Sequence, residues 1–176
     1  MTTAASIRIR NAQADEMNAI RDLTLAAYAE FATSLPVVNW RGLKATIIKT
    51  LSQPGEADVI VAELDTELVG SVLLFPGESD AYGGQATKAN WPELRLLAVK
   101  PGARGRGIGK MLMEECILRA RRSGATALGL HTGDSMVVAL PMYERRGFVR
   151  IPALDFDVDG GELVKAYRLD LSTDLV

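Results

Sequence analysis

The stretch RGRGIGK (104–110) constrains the fold of this chain more than any other segment. It follows ELRLLAV (93–99), whose apolar residues predict a strand, and it opens a predicted helix over 107–122 that carries one apolar face. Gly124 closes that helix, and ATALGLH (125–131) predicts another strand. The chain is therefore expected to contain at least one β-α-β crossover, with the glycine-rich turn at the start of its helix.

The remaining segments extend this crossover to a mixed α+β layout in the order β-α-α-β-β-β-α-β-α-β-β. Residues 76–91 form a long polar loop, of a length that is usually functional or mobile in a compact domain. We expect a mixed central sheet of six to seven strands flanked by four helices. The other predicted strands are 6–10, 58–65, 67–75, 148–152 and 162–171, and the other predicted helices are 16–31, capped by Asp15, 41–53, and 135–147, capped by Asp134 or Ser135.

Composition narrows the class of protein. A length of 176 residues with 48% hydrophobic residues predicts one domain over 1–176 with a sizeable core. The net charge of −2 argues against a protein whose main task is to grip nucleic acid. No leader-like apolar region and no apolar run of roughly 20 residues is present. One cysteine and one histidine exclude an internal disulfide and disfavour a zinc site, so we expect a cytoplasmic protein without a metal.

The glycine-arginine turn has the elements of an anion site. The first backbone N–H groups of a helix lack internal partners, and the helix dipole makes that end electropositive. The glycines let the backbone close on a ligand, while the side chains of Arg104, Arg106 and Lys110 add full charges. The expected ligand is a phosphate or a pyrophosphate. The alternative is that the glycines only make a tight turn and that the arginines are solvated.

Two nucleotide motifs fail on spacing. A P-loop would need glycine at Arg104 and Ser or Thr at Met111, and the dinucleotide fingerprint would need its third glycine at Lys110. The pattern [QR]-x-x-G-x-[GA] fits residues 104–109. Through this hexad, through LRLLAVKPGARGRGIGKMLM around it and through PMYERRGFVR (141–150) downstream, the chain resembles the GNAT superfamily of N-acetyltransferases.

The resemblance implies how acetyl-CoA would be held. Backbone N–H groups of the turn would take the pyrophosphate, and the pantetheine arm would lie along the strand 93–99 like an added strand. A bulge in that strand would free one N–H, expected at Leu97, to polarise the thioester carbonyl. The implied cofactor-binding residues are Leu97, Ala98, Val99, Arg104, Gly105, Arg106, Gly107, Ile108, Gly109 and Lys110.

The resemblance also implies catalytic roles. Tyr143 matches the general acid of the family, with packing among Ala139, Leu140 and Phe148 as the alternative or as an addition. A primary amine is almost fully protonated at neutral pH, so a general base is expected. Glu93 stands where several members carry a catalytic glutamate and would act through water. The alternatives are that Glu93 is only a polar strand terminus and that His131 or water is the base.

These residues together predict an N-acetyltransferase that moves the acetyl group of acetyl-CoA directly to a primary amine in a ternary complex. The alternative is a non-catalytic acyl-CoA-binding regulatory module. Met136 departs from the asparagine that many members carry at this point, which puts one cofactor contact in question. The acceptor is not identified, and a homodimer stays open. Residues that could line the acceptor pocket or attract a cationic amine are Trp40, Asp80, Tyr82, Trp91, Asp155, Asp157 and Asp159. The alternative, which is favoured for any single one of them, is that Trp40 belongs to the core and that the aspartates are solvated turn residues.

Overall fold

The computed structural model describes residues 6–158 and 162–172. Within these ranges four α-helices flank eight strands. The helices are α1 (Met17–Tyr28), α2 (Val37–Ser52), α3 (Ile108–Arg122) and α4 (Ala139–Arg146). The strands are β1 (Ile7–Asn11), β2 (Asp58–Leu64), β3 (Glu67–Phe75), β4 (Glu93–Val99), β5 (Ala127–Thr132), β6 (Val149–Arg150), β7 (Phe156–Asp157) and β8 (Leu163–Asp170).

The strands form one mixed sheet in the order β1-β2-β3-β4-β5-β8-β6, with β7 added beside β8. All of its described neighbours are antiparallel except β4 and β5, which are parallel because α3 connects them as a crossover. The mixed α+β fold and its four helices are confirmed. The sheet has one strand more than the six to seven expected, because the two-residue strand β7 is too short to leave a pattern in the sequence.

Two hydrophobic cores lie on the two faces of this sheet. The helices α1 and α2 cover one face, where Ile20, Leu23 and Ile47 pack against β2, β3 and β4. On the other face α3 buries Ile108, Leu112 and the residues one and two turns further along. The absence of a side chain at Gly70 brings α3 close to β3, since a Cβ there would lie 3.0 Å from the methyl group of Ile108. This contact positions the start of α3 over the middle of the sheet.

Several predicted helix ends are wrong, and the causes are local contacts. Asp15 lies in a short 3-10 turn before α1, and the capping contact comes from Glu16, whose carboxylate accepts the backbone N–H of Gln13 at 2.8 Å. The helix α2 begins directly after Pro36 rather than at residue 41. Proline is favoured at the mouth of a helix because its fixed φ suits the first turn.

The helix α4 is shorter than predicted. It begins at Ala139, although the pattern favoured a start at residue 135. Ser135 does not cap it, because the backbone N–H and hydroxyl of Ser135 both donate to the carboxylate of Glu162, at 2.7 and 2.9 Å. Asp134 accepts instead from Lys165. These contacts fix residues 133–136 against the segment that leads into β8.

Within the described residues, no helix is both long enough and apolar enough to cross a bilayer.

Candidate active site

A bulge interrupts β4 at its centre. Ser71 of β3 pairs with Ala98 and Leu73 pairs with Arg95, so two residues of β4, Leu96 and Leu97, stand against one residue of β3. Leu96 has a φ of 54°, a left-handed value that is rare for a leucine and costs free energy. The extra residue of a bulge is left out of the ladder. The structure therefore has a bulge at the position where the sequence predicted one.

The side chain of Tyr28 holds this bulge from α1. Its hydroxyl donates a hydrogen bond to the carbonyl oxygen of Leu97 at 3.2 Å. Burial of the ring raises the pKa of Tyr28 to about 12, so the phenol keeps the proton that it donates. Tyr28 is 9% exposed and also lines the neighbouring cleft. The sequence gave no signal of this contact, because Tyr28 and Leu97 lie far apart in the chain.

A cleft of about 660 Å³ opens beside the bulge. Its cause lies in the sheet: β4 and β5 pair only at Glu93 and Gly129, and beyond that position they no longer form a ladder. The cleft runs along the second half of β4 to the turn before α3 and is closed by α4. Its lining includes all of the predicted cofactor-binding residues except Arg106, namely Leu97, Ala98, Val99, Arg104, Gly105, Gly107, Ile108, Gly109 and Lys110.

The turn before α3 has the backbone that an anion site needs. Gly105 and Gly107 have φ values of 78° and 76°, and a Cβ at either position would meet nothing within 4 Å. Positive φ explains the glycines, and the open space above them leaves the N-terminus of α3 free for a ligand. Lys110 lies in the first turn of α3 and lines the cleft, as does Arg145 near the end of α4, which the sequence reasoning missed.

The two arginines of the turn differ in their surroundings. Arg104 pairs with Glu30 at 2.7 Å and donates to the carbonyl oxygen of Ala27 at 3.1 Å, which ties the turn to the end of α1. Arg106 is exposed and does not line the cleft. The electrostatic part of the site therefore rests on the helix N-terminus, Lys110 and Arg145 more than on the arginines of the hexad. A contact from Arg106 to a ligand stays a prediction.

The side chain of Tyr143 projects from α4 into the same cleft. Its ring packs edge-on against Phe148 at a centroid distance of 5.7 Å, and the residue is only 5% exposed. Its hydroxyl makes no hydrogen bond to any residue that the structure describes, and burial raises the pKa of Tyr143 well above its ordinary value. The tyrosine is thus both a core residue and a protonated donor at the wall of the cleft.

Glu93 and His131 form a buried pair at the point where β4 and β5 meet. The Nδ1 atom of His131 lies 3.2 Å from Oε2 of Glu93, and its Nε2 lies 2.9 Å from the carbonyl oxygen of Leu154. A carbonyl can only accept, so Nε2 carries a proton. Nδ1, on the other side of the ring, is left to contact the carboxyl group of Glu93. The two base candidates of the sequence are therefore parts of one network.

The pair is enclosed by aromatic side chains. The hydroxyl of Tyr82 donates to Oε2 of Glu93 at 3.2 Å, and the ring of Tyr82 contacts His131 edge-on at 4.7 Å. Trp91, Glu93 and His131 line a small cavity of about 10 Å³, the space of a single water molecule. A side chain at Gly129 would collide with the Trp91 indole and the Glu93 carboxylate. His131 also lines the main cleft and so separates the two spaces.

Of the residues predicted for the acceptor pocket, some lie beside Glu93 and others lie elsewhere. Tyr82 and Trp91 lie together beside Glu93, whereas Trp40 packs against the core under α1 and α2 and lines neither space. Asp80 accepts the backbone N–H of Gly84 at 2.7 Å in the loop. Asp157 is exposed on β7, and Asp159 lies outside the described residues. None of the described aspartates lines the cleft.

Asp155 forms an ion pair that stabilises the folded protein and does not line the cleft. Both of its oxygens pair with Arg150, at 2.6 and 2.7 Å, and the hydrogen bonds from Arg150 lower its pKa to about 2. A depressed carboxyl pKa stabilises the folded state above the unfolded pKa of 3.8, and the contribution is lost as pH falls to about 2.

Asp155→Asn should lower the free energy of unfolding by about 1 kcal/mol at pH 7 after solvent screening. Denaturant melts at pH 7 and pH 2.5 should show this loss shrinking, whereas exposed Asp157→Asn should change little at either pH.

Arg95 is a residue of this region for which the sequence reasoning found no role. It precedes the bulge on β4, and its side chain lies on the α1 and α2 face of the sheet, with its guanidinium over the ring of Tyr82 at 4.6 Å. The side chain lines the cleft. An arginine in the middle of a predicted strand was the only signal available, and its surroundings depend on contacts with α2 and the 76–91 loop that are distant in sequence.

Comparison with known proteins gives one family. The model of the acetyltransferase (GNAT) family matches residues 17–148. The relatives include the IAA acetyltransferase of Azospirillum brasilense, which is 36% identical over 101 residues, or 57% of this chain and 60% of that protein. They also include the mycothiol acetyltransferase of Cellulomonas flavigena, 32% identical over 96 residues, or 53% of this chain and 27% of that protein. The chain thus spans between 27% and 60% of the length of these relatives.

Solved structures show the same fold. A GNAT family acetyltransferase from Brucella melitensis, in complex with acetyl-CoA, superposes with a TM-score of 0.62 at 22% identity, over 97% of this chain and 92% of that one. A protein from Corynebacterium glutamicum described as histone acetyltransferase HPA2 and related acetyltransferase gives a TM-score of 0.68 at 22% identity, over 97% of this chain and 99% of that one.

Proposed function

Because the chain belongs to the GNAT family of acetyltransferases, we propose that it transfers the acetyl group of acetyl-CoA directly to a primary amine. The observation that carries this proposal is the continuity of one cleft, which joins the N-terminus of α3, the bulge in β4 and the hydroxyl of Tyr143. Along the cleft lie, in this order, an anion site, an unpaired strand segment and a protonated donor. Acetyl-CoA needs them for its pyrophosphate, its pantetheine arm and its departing sulfur.

The residues present fit acetyl-CoA. Its pyrophosphate would meet the first N–H groups of α3 above Gly105 and Gly107, where no side chain intrudes. Lys110 and Arg145 add positive charge at this end of the cleft. Arg104 contributes less, because it is already paired with Glu30. The pantetheine arm would follow Leu97, Ala98 and Val99, and the bulge offers a backbone donor for the thioester carbonyl. Tyr28 keeps the Leu97 peptide in place from the other side.

Tyr143 acts as the donor to the departing sulfur. A thiol has an ordinary pKa near 8.5 and a tyrosine near 10, and burial raises the pKa of Tyr143 further. Full transfer of its proton to the thiolate is therefore unfavourable. The phenol instead stabilises the negative charge on sulfur through a hydrogen bond while the C–S bond breaks, which is a contribution confined to the transition state.

Glu93, supported by His131, acts as the base, through water. The carboxylate is enclosed beside the small cavity, and His131 lines both this cavity and the cleft, so the amine proton reaches the carboxylate past His131. The Glu93 carboxylate takes the proton, and His131, whose Nδ1 lies 3.2 Å away, holds the carboxylate in position.

Direct transfer is supported by the chemistry of the only cysteine. Cys116 is fully buried on the face of α3 that packs against the sheet, and burial raises the pKa of its thiol to about 12. A thiol in this state is a poor nucleophile, and it does not line the cleft. The acetyl group therefore has no cysteine carrier and passes from the thioester to the amine in one complex.

The cofactor assignment predicts stabilisation by acetyl-CoA. At 100 times its dissociation constant, acetyl-CoA should raise the free energy of unfolding by about 2.7 kcal/mol. CoA should do nearly as well, because the turn contacts the pyrophosphate rather than the acetyl group. Thermal melts with acetyl-CoA, CoA, ATP and NADH measure this directly. A larger shift with ATP or NADH than with acetyl-CoA would overturn the assignment, and Gly107→Val should reduce the acetyl-CoA shift in a protein that still folds.

The extent and setting of the activity are part of the same proposal. We take the acetyltransferase domain to span residues 1–176 and to work in the cytoplasm without a metal ion. A homodimer stays open. If acetyl-CoA binds without turnover, the protein is the acyl-CoA-binding regulatory module that the sequence leaves as the alternative.

A further inference from the structure

The cations of the cleft fall into two groups. Arg104, Lys110, Arg145 and Arg146 surround the turn and the end of α4, where the pyrophosphate of acetyl-CoA is proposed to lie. Arg95 stands apart from them on β4, on the other side of the bulge. It precedes Val99 by four residues, a distance of about 13 Å along a strand. The cofactor phosphates therefore do not account for Arg95.

The protein satisfies only part of this guanidinium. Nη1 of Arg95 donates to the carbonyl oxygen of Ala81 at 2.6 Å and to Oγ1 of Thr50 at 3.3 Å. Nε and Nη2 donate to no group within residues 6–158 and 162–172, and in the same ranges no carboxylate pairs with Arg95. The half-buried cation is held in place at one nitrogen, while its other two nitrogens remain available to a ligand.

An unpaired cation in such a place costs free energy. Burial lowers the pKa of Arg95, because the loss of hydration outweighs the attraction of the nearby Glu93 and Asp80 carboxylates, neither of which is in direct contact with the guanidinium. Among the carboxylates of the described residues, only Glu30 lines the cleft, and it is paired with Arg104 at the far end from Arg95. An anion that enters beside Arg95 would supply the missing partner.

We infer that the amine acceptor carries a carboxylate, which binds to the free Nε and Nη2 edge of Arg95. That edge matches a carboxylate through two parallel hydrogen bonds, the geometry that distinguishes arginine from lysine. Arg95 lies about two residues before Leu97, where the acetyl group is proposed to be held, so an amino carboxylate reaches both points. This inference rests on the proposed acetyltransferase function and names the substrate class of that site.

The test compares each amino acid with its own carboxamide. Amino acids of increasing chain length and the matching amides are assayed for thiol release from acetyl-CoA, and their binding to the CoA complex is measured by calorimetry. The wild-type protein should favour the acids over the amides in both measurements. A charge-assisted hydrogen bond corresponds to roughly 10- to 100-fold in kcat/KM, and Arg95→Met should remove this preference of acid over amide while the affinity for acetyl-CoA holds.

The controls separate this inference from the proposed function. Lys49→Met removes a cation from the exposed face of α2, away from the cleft, and should leave the acid preference unchanged. Arg95→Lys should retain only part of it. Transfer to amides as fast as to acids in the wild type overturns the inference and leaves the function standing. Acids that bind through Arg95 without any thiol release contradict the function, and with it the role of the acid as an acceptor, and support only a carboxylate site at Arg95. Preference for a phosphorylated amine over every amino acid also overturns it.

Discussion

Tyr143→Phe is expected to lower turnover by about 100-fold and to leave the affinity for acetyl-CoA nearly unchanged. The substitution removes only the hydroxyl, which makes no hydrogen bond to the described residues, so no buried partner is left unsatisfied. The ring keeps its edge-on contact with Phe148. The loss arises because the phenol interacts more strongly with the developing thiolate than with the thioester, so its removal affects the transition state alone.

Turnover, acetyl-CoA affinity and melting temperature should be measured on one preparation, at a pH where chemistry limits the rate. Tyr167→Phe is the matched control, because Tyr167 is also a buried tyrosine but lies on β8 and does not line the cleft. It should retain full turnover. Wild-type turnover in a folded Tyr143→Phe protein would reduce Tyr143 to a packing residue of α4.

Glu93→Gln is expected to lower kcat/KM by about 100-fold near neutral pH, with a defect that shrinks as pH rises. A glutamine whose amide nitrogen replaces Oε2 can donate to Nδ1 of His131 and to the hydroxyl oxygen of Tyr82, so both contacts are kept while the base is lost. Alkaline solution supplies the neutral amine without help and so compensates the variant. His131→Asn should also lower kcat/KM near neutral pH, because it removes the ring whose Nδ1 lies 3.2 Å from the Glu93 carboxylate.

A pH profile of each variant with one amine checks this account. Glu78→Gln is the control, because Glu78 is exposed in the 76–91 loop that precedes β4, and it should behave as the wild type. A loss in Glu93→Gln that is equal at all pH values would assign Glu93 to the structure of the β4 and β5 junction. No loss at all would leave water as the base.

The segment from β4 to α3 could be predicted from the sequence almost to the residue. Proline and glycine mark each of its ends: Pro92 precedes β4, Pro101 follows it, and Gly107 precedes α3 with the positive φ that favours glycine. The turn residues were identified by the same local chemistry. Where structure is encoded by neighbours in the chain, the pattern was sufficient.

Features that depend on distant residues could not be predicted. The contact of Tyr28 with the Leu97 carbonyl and that of Arg95 with Ala81 join segments far apart in sequence. The start of α4 was misplaced because Glu162 competes for the groups that would cap it. Asp155 was assigned to a cationic amine because its partner Arg150 could not be recognised from spacing.

The central claim, direct transfer between two substrates bound together in the cleft, is tested most directly by initial rates of thiol release with acetyl-CoA and an amino acid both varied. Double-reciprocal plots should give intersecting lines, because both substrates must be bound before either product leaves. Parallel lines would contradict the account by showing a covalent acetyl-enzyme, as would acetyl-CoA that binds tightly yet releases no thiol when any amine is added.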